Sequence, residues 1–515
     1  MGIHRVGQDV AADELAAQTA ALLANGFRLA LVAAHDDVSV LRVVYLFLAG
    51  GPDRRVELSV TIPLGESALN LSEQQPTQPQ IPSLAELSFP AGRFEREMYD
   101  LFGIVPVGHP FPRRLVRHAH WPSGWHPMRA DAGEPPPFTN AERFPFVPVE
   151  GDGVYEIPVG PVHAGMISPA HFRLSVVGEK ILKLKVRLWF THRGVEQLFA
   201  GKDALRSTDT IKLAERISGD SSAAHSLAHC LAVEDAVGID LPPPAHSLRA
   251  LLVEMERLYN HAGDIGSLAG DVGFGLANAH AGRIREQLLR INDSVTGHRL
   301  LRGAMQPGFV QLRALPDLDK IRSLAVDLAD ISAALLAKST VHERFSGTAV
   351  LSAADASALG CLGPVARASG LATDARSDHP FVELPLEAGP TAPGSDATGG
   401  DVLARFSVRR DEFAQSVALV QWIVEHAESL SYRAESPVQD SVPGIRSGVG
   451  IVEGWRGTVV HRIEMEPSGR LTRAKVVDPS WFNWPAVAVS LGDTIVPDFP
   501  LVNKSFNLSY AGNDL

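Results

Sequence analysis

Apolar positions near the N-terminus fall into one stretch with helical spacing and three of strand length. Ala11 to Asn25 repeats its apolar residues as a helix does, while Phe27 to Ala33, Val38 to Ala49 and Val56 to Ile62 predict strands. Gly50-Gly51-Pro52-Asp53 predicts a hairpin turn between the last two. Leu64 to Ser83, rich in Gln, Pro and Ser, reads as a loop. From Gly133 to Gly153, Pro135, Pro136, Pro137, Pro145 and Pro148 oppose regular structure and mark a domain boundary. Beyond it, Phe172 to Val177 and Ile181 to Phe190 predict a hairpin turning at Gly178 and Glu179. Helical spacing then dominates over Thr208–Val237, Ser247–Leu268, Ala279–Leu301, Leu318–Lys338 and Asp401–Leu430, with Thr373–Gly400 a surface excursion. Strand signals return at Gly450–Val452, Thr458–Met465 and Leu471–Val477, the last two parted by a Pro467-Ser468-Gly469 turn. The expected fold class is α+β. A small N-terminal α/β domain (1–132) and a Pro-rich linker (133–153) precede a large helical-bundle domain (154–515) bracketed by β-hairpins.

Composition narrows the function classes. With 47 Lys plus Arg against 59 Asp plus Glu, the net charge of −12 gives no basic excess to replace phosphate counterions, so nucleic acid is not an expected partner. Two cysteines, Cys230 and Cys361, cannot supply the four ligands of an iron–sulfur cluster or an all-thiolate zinc site. The longest apolar runs, Val43–Gly50 and Val417–Val424, are too short to span a bilayer, and Asp9, Asp13 and Glu14 make the N-terminus too acidic for a signal peptide. The expected location is cytoplasmic, with membrane attachment made through partners.

Two sets of residues carry a family resemblance. Glu95-Arg96-Glu97-Met98-Tyr99-Asp100-Leu101-Phe102-Gly103-Ile104, then Gly108-His109-Pro110 and Arg113-Arg114-Leu115, resembles the signature of the 30-kDa subunit of respiratory complex I. Gly160-Pro161-Val162-His163-Ala164-Gly165, Thr191-His192-Arg193-Gly194-Val195-Glu196 and Arg216-Ile217-Ser218-Gly219-Asp220-Ser221 resemble the complex I 49-kDa subunit. So do His225-Ser226-Leu227-Ala228, Trp455-Arg456-Gly457 and Asp478-Pro479-Ser480, and the likeness is closer still to the large subunit of membrane-bound group 4 nickel–iron hydrogenases. Fusion of the two subunits is a feature of that branch.

The resemblance also shows what is missing. Where the hydrogenases place four metal-holding cysteines, this chain has Ser218, Ser221, Ser480 and Asn483. Hydroxyls and a carboxamide are hard, weak donors for nickel and iron, so no nickel–iron centre and no metal on this chain is expected. The i, i+3 spacing predicts Ser218 and Ser221 on one face of a helix. By resemblance, Glu196 matches a proton-carrying glutamate whose pKa burial can raise, although an ion pair with Arg193 accounts for it equally well. Arg456 matches the arginine placed over the metal cluster, Arg216 opens the helix motif and Asp478 opens the C-terminal one. Where complex I brackets its quinone with a tyrosine and a loop histidine, the tyrosine position is His229 and the loop histidine corresponds to His163 or His171. His225 and His229 share a helix face without a third ligand at helical spacing, so they read as core or interface histidines rather than a zinc pair.

The implied setting is the peripheral arm of an energy-converting membrane complex, on the cytoplasmic face of the inner or plasma membrane. Its implied partners are a small iron–sulfur subunit with a proximal cluster, a complex I subunit 1-like membrane subunit and antiporter-like membrane subunits. Electrons would pass from the partner cluster to a quinone or another small acceptor near His163, Glu196, Arg216, His229 and Arg456. The competing expectation is a non-catalytic scaffold that couples or assembles the ion-translocating module. Asp100 and Arg96 are expected to fasten the fusion, and the tail beyond Asn483 has no role readable from its residues.

Overall fold

The computed structural model describes residues 4–51, 53–64, 78–139, 144–386, 398–434 and 444–515. The chain divides into two compact units between Pro148 and Val149. In the first, β1 (His4–Asp9), α1 (Leu15–Ala24), β2 (Arg28–Asp36), β3 (Val40–Ala49) and β4 (Arg54–Pro63) precede β5 (Gln80–Pro82), α2 (Phe89–Phe102) and β6 (Val105–Val107). The main sheet runs β1-β4-β3-β2, with β1 parallel to β4 and the other pairs antiparallel. Central strand β3 is buried from Val43 to Ala49, which explains its unbroken apolar run. The acids of α2 point inward to hold loops. Asp100 accepts from the N–H groups of Leu115, Val116 and Arg117, and Arg96 donates to the carbonyls of Arg113 and Arg114. The Glu-Arg-Glu…Asp motif therefore fastens loops within its own unit.

The second unit opens with β7 (Val154–Val159), β8 (His171–Val177), β9 (Lys180–Arg187), α3 (Val195–Phe199), α4 (Asp209–Ala214), α5 (Ser222–Val237), α6 (Pro243–Asp271) and α7 (Gly275–Thr296). It continues through β10 (Met305–Gln306), β11 (Phe309–Gln311), α8 (Leu318–Leu336), α9 (Ser339–Phe345), α10 (Ala353–Ala358), α11 (Gly363–Ala368), α12 (Ala375–Asp378) and α13 (Val402–Glu425). β12 (Ser431–Arg433), β13 (Arg446–Gly454), β14 (Gly457–Met465), β15 (Leu471–Val477), α14 (Ser480–Ser490), α15 (Phe499–Phe506) and α16 (Tyr510–Asn513) complete it. Three antiparallel sheets, β7-β8-β9, β10-β11-β12 and β13-β14-β15, surround helices packed on α6.

One contact places the site. Helix α5 lies directly on β13, with its alanines facing strand glycines. A Cβ on Gly450 would stand 1.9 Å from the Ala228 carbonyl oxygen, and one on Gly448 would stand 2.0 Å from that of Ala232. Only glycine permits this backbone approach. It sinks the polar side chains of α5 among α3, β14 and β15, in a core that includes Phe199, Val233, Ile463 and Val476.

The α+β architecture is as the sequence predicts, and several elements differ. The predicted helix Thr208–Val237 is broken at residues 215–221, where Ser222 Oγ donates to the Glu215 carbonyl and Arg193 to those of Arg216 and Ile217. Ser218 and Ser221 therefore do not share a helix face. They meet through a turn in which Ser221 N–H donates to the Ser218 carbonyl. The predicted loop Leu64–Ser83 contains β5, paired with β6, while 65–77 lie outside the described residues, as does Pro52 of the predicted hairpin turn. Thr373–Gly400 is not merely a surface excursion, since it contains α12, whose Arg376 is buried against Glu254; residues 387–397 lie outside the described set.

Candidate functional site

The polar centre of the second unit grows from the N-terminal turn of α5. Its Ala223 and Ala224 N–H groups donate to the Glu256 carboxylate at 2.6 and 3.2 Å. One turn on, His225 Nε2 lies 3.1 Å from Asp478 Oδ2, and its Nδ1 lies 3.0 Å from His461 Nε2. All three side chains are buried. Burial opposes charge on Asp478, but its bond to His225 and the field of Arg456 hold it below the usual carboxylate range. Burial, with His225 and His229 alongside, keeps His461 well below the usual imidazole range. An ionised Asp478 fixes the direction of the chain: His225 Nε2–H donates to Asp478, and His225 Nδ1 accepts from His461 Nε2–H. Among the described residues, His461 Nδ1 then holds a lone pair with no partner. Next to it, 5.9 Å away between ring centroids, is His229, buried with no partner among the described residues on either ring nitrogen and lowered to about 4 by burial. Its other neighbour is Phe199, 5.2 Å away. His461 escapes notice in the sequence, although it lies on β14 opposite Val476, in the register that faces α5.

The four positions matching metal ligands do different work. Arg456 stands beside Ser218 and Ser221, donating from Nη1 and Nη2 to the two oxygens of Asp220 at 2.6 and 2.7 Å and from Nε to the Asn507 carbonyl at 2.6 Å. Its guanidinium stacks 3.9 Å from the Trp455 ring and reaches Ser221 Oγ at 3.3 Å. Ser218 Oγ donates to Asp220 at 3.0 Å and bonds Ser509 Oγ at 2.9 Å. Ser509 N–H donates to Ser480 Oγ at 2.9 Å. Asn483 instead makes a two-point pair with the Leu362 backbone at 2.9 and 3.1 Å. The tail is thus the closure of the site: Ser509 bridges Ser218 and Ser480, and a Cβ on Gly512 would meet Asp478 at 2.6 Å. A nickel–iron cluster does not fit this donor set, which offers no thiolate and whose hydroxyls and amide are already bonded to protein.

Three expected members of the pocket stand elsewhere. Arg216 is largely exposed, donating to the Lys212 carbonyl and facing Glu215; only its own carbonyl reaches inward, to Arg193. Glu196 does not pair with Arg193. It accepts from Val476 N–H and lies 2.7 Å from Arg473 and 3.0 Å from Lys475. Burial alone would raise it, but these two cations hold it at about 2, so it is a fixed carboxylate. His163 lies against Phe172 and Tyr510, at 5.5 and 6.4 Å between ring centroids, and His171 accepts from Arg173 at 3.3 Å. These histidines share no bond with His225 or His229. The loop that carries His163 exposes apolar side chains, with Val162 85% and Met166 99% accessible.

Comparison with known proteins agrees with this architecture. Residues 9–136 match the family model of the respiratory-chain NADH dehydrogenase 30 Kd subunit, residues 193–263 that of nickel-dependent hydrogenase, and residues 271–443 that of the respiratory-chain NADH dehydrogenase 49 Kd subunit. The chain belongs to the family in which complex I 30-kDa-type and 49-kDa-type subunits are fused, together with the related hydrogenase large subunits. It is 30% identical over 438 residues to hydrogenase-4 component G of Escherichia coli, covering 82% of this chain and 73% of that protein. Formate hydrogenlyase subunit 5 of the same organism is 31% identical over 455 residues, covering 86% and 78%. The fused C/D protein of NADH-quinone oxidoreductase from Phocaeicola vulgatus is 30% identical over 406 residues, covering 74% and 76%. In fold, the chain resembles one from the membrane-bound sulfane sulfur reductase, an archaeal respiratory membrane complex, with a TM-score of 0.63 and 24% identity over 72% of this chain and 100% of that one. Among the described residues, no helix is long and apolar enough to cross a membrane.

Proposed function

We propose that this chain is a peripheral-arm subunit of an energy-converting membrane complex, on the cytoplasmic face, without a nickel–iron centre. It directs electrons from an iron–sulfur cluster in a small partner subunit to a quinone or another small acceptor. The remaining partners are a complex I subunit 1-like membrane subunit and antiporter-like subunits, and the exposed Val162 and Met166 suit docking on an apolar partner surface. The observation that carries the reading is the buried Asp478–His225–His461 chain with His229 beside it. Reducing a quinone takes up two protons with two electrons, and a line of imidazoles anchored on a carboxylate can pass protons from ring to ring. His163 in the exposed loop, or His171 at the start of β8, supplies a further hydrogen-bond donor, while Arg456 and Glu196 hold structure around the relay.

The test is His229→Phe, which keeps the ring packing against Phe199 and removes both nitrogens. In the purified native complex, the rate at which quinol reduces the partner cluster, followed anaerobically by electron paramagnetic resonance, is expected to fall at least about tenfold. An unchanged rate overturns the relay role. A second reading, a coupling scaffold without redox chemistry, is favoured by the closure of the old ligand positions by Ser509 and Arg456. A complex with no reducible cluster would select it.

A further inference from the structure

Away from this relay, α6, α11, α12, α13 and β13 bury a second set of charges. Arg257 lies 3.1 Å from Glu254 and 3.5 Å from Glu412. Arg367 lies 2.7 Å from Glu412, 2.9 Å from Glu453 and 3.6 Å from Asp374. Arg376 lies 2.7 Å from Asp374 and 3.5 Å from Glu254. Four carboxyls thus face three guanidiniums. The neighbouring Arg409 pairs outside the set with Asp264 at 2.8 Å, a carboxylate that the partly exposed Lys504 also approaches, at 3.8 Å. Asp378, whose carboxylate accepts from Asp374 N–H, is only half-buried and lies at the edge of the cluster. One uncompensated negative charge in a dry interior is costly, so the set calls for one proton.

Two groups can take that proton. His261 Nε2 lies 2.9 Å from Glu412, but its Nδ1 is buried without a partner among the described residues. A doubly protonated ring would bury an unsatisfied N–H, whereas the neutral Nε2–H tautomer leaves only a lone pair there. Glu453 is better arranged. One of its oxygens accepts from Arg367; the other accepts from Ala375 N–H at 3.1 Å and lies 3.0 Å from the Thr458 hydroxyl, which can accept from a protonated carboxyl.

We propose that Glu453 is a buried proton-binding site, a neutral carboxylic acid at pH 7, set directly beneath the turn that carries Arg456. Burial and the nearby Asp374 carboxylate push Glu453 above its usual range, and burial lowers His261. Arg257 joins the set to that turn by donating to the carbonyls of Glu453 and Gly454 at 2.8 and 3.1 Å, two residues before Arg456. Release of the proton leaves the network one negative charge in excess beneath the Arg456–Asp220 pair. This gives the chain a proton-loading group outside the histidine relay.

The test is infrared spectroscopy on the full-length protein at pH 7. Carbonyl stretches of protonated carboxyls, sensitive to deuterium exchange, are expected in the parent, and one of them is expected to disappear in Glu453→Gln while that of Glu256 stays. Persistence of every such band in the variant overturns the proposal. Stability gives an independent reading. Glutamine mimics a protonated glutamate, so Glu453→Gln is expected to melt within about 2 °C of the parent, while Glu412→Gln, at an ionised site, melts far lower. Equal, large losses in both variants would show Glu453 to be ionised and overturn the assignment.

Discussion

Glu196 and Glu256 are equally buried, yet they stand at opposite ends of the titration range. Glu196, on α3, faces Arg473 and Lys475 from β15 and is held at about 2. Glu256, on α6, accepts two N–H groups from α5 but has no cation bonded to it. Burial, with Asp220 nearby, lifts it to about 8. Desolvation penalises both carboxylates, so the sign of each shift is set by whether counter-charge is delivered at bonding distance. The glutamate expected to carry protons is the fixed one, and the readily protonated acid lies on a helix the family motifs do not mark.

The largest expected effect breaks the Glu196 side of this comparison. Glu196→Gln leaves Arg473 and Lys475 buried with a neutral partner and should cost roughly 3–5 kcal/mol of stability in denaturant titration. Its pH signature follows from a folded pKa below the unfolded one. The stabilisation is complete above the ordinary carboxylate pKa of 4.5 and is lost as pH falls toward about 2. Parent and variant should therefore converge in acid, and a constant gap down to pH 2 would refute the assignment.

Glu256→Gln should show the opposite slope. With a folded pKa raised to about 8, the parent is fully stable below 4.5 and loses stability as pH rises toward 8. The amide oxygen keeps the shorter bond from Ala223. The variant should match the parent near pH 4 and exceed it by on the order of 3 kcal/mol at pH 8, read from melting curves across pH. A variant that is less stable at pH 8 would mean that Glu256 is ionised on the α5 terminus.

The third effect concerns the approach on which both regions depend. Gly450→Ala forces α5 off β13 and should cost roughly 1–3 kcal/mol. It should also shift the NMR resonances of His225 and His461, since their 3.0 Å contact joins α5 to the β14 residue paired with Gly450. Unmoved histidine signals would show that the relay does not rest on the glycine contact.

Much of this was legible in the sequence and some could not have been. The two-part α+β plan follows from periodicity and the proline-rich boundary, and the family from motifs such as Arg216–Ser221 and Trp455-Arg456-Gly457. The break at residues 215–221 was hidden because apolar spacing on either side reads as one helix, while the termination comes from Arg193, distant in sequence, taking its carbonyls. His461 was hidden because a lone histidine in a strand gives no sign of what it faces. The burial of α12 in a charge network was hidden because Asp374 and Arg376 read as solvent-facing charges. Long-range pairing decides all three, and spacing carries no information about it.

The smallest effect tests the closure of the old ligand positions by the tail. Ser509 Oγ bonds Ser218 and accepts from Gly512 N–H at 2.9 Å, while its backbone N–H donates to Ser480. Ser509→Ala removes the side-chain bonds and keeps the backbone one, so it should cost about 1 kcal/mol. Ser218→Ala leaves the Gly512 bond in place but also removes the bond to Asp220, and should cost a similar amount or more. Because the two hydroxyls share one bond, the double variant should lose less than the two singles together, with a coupling of about 0.5–1 kcal/mol in a double-mutant cycle. Zero coupling would mean that the tail merely lies beside Ser218. A positive one would mean that the tail is bonded into the Ser218 turn, the neutral counterpart of the charge pairing at Glu196.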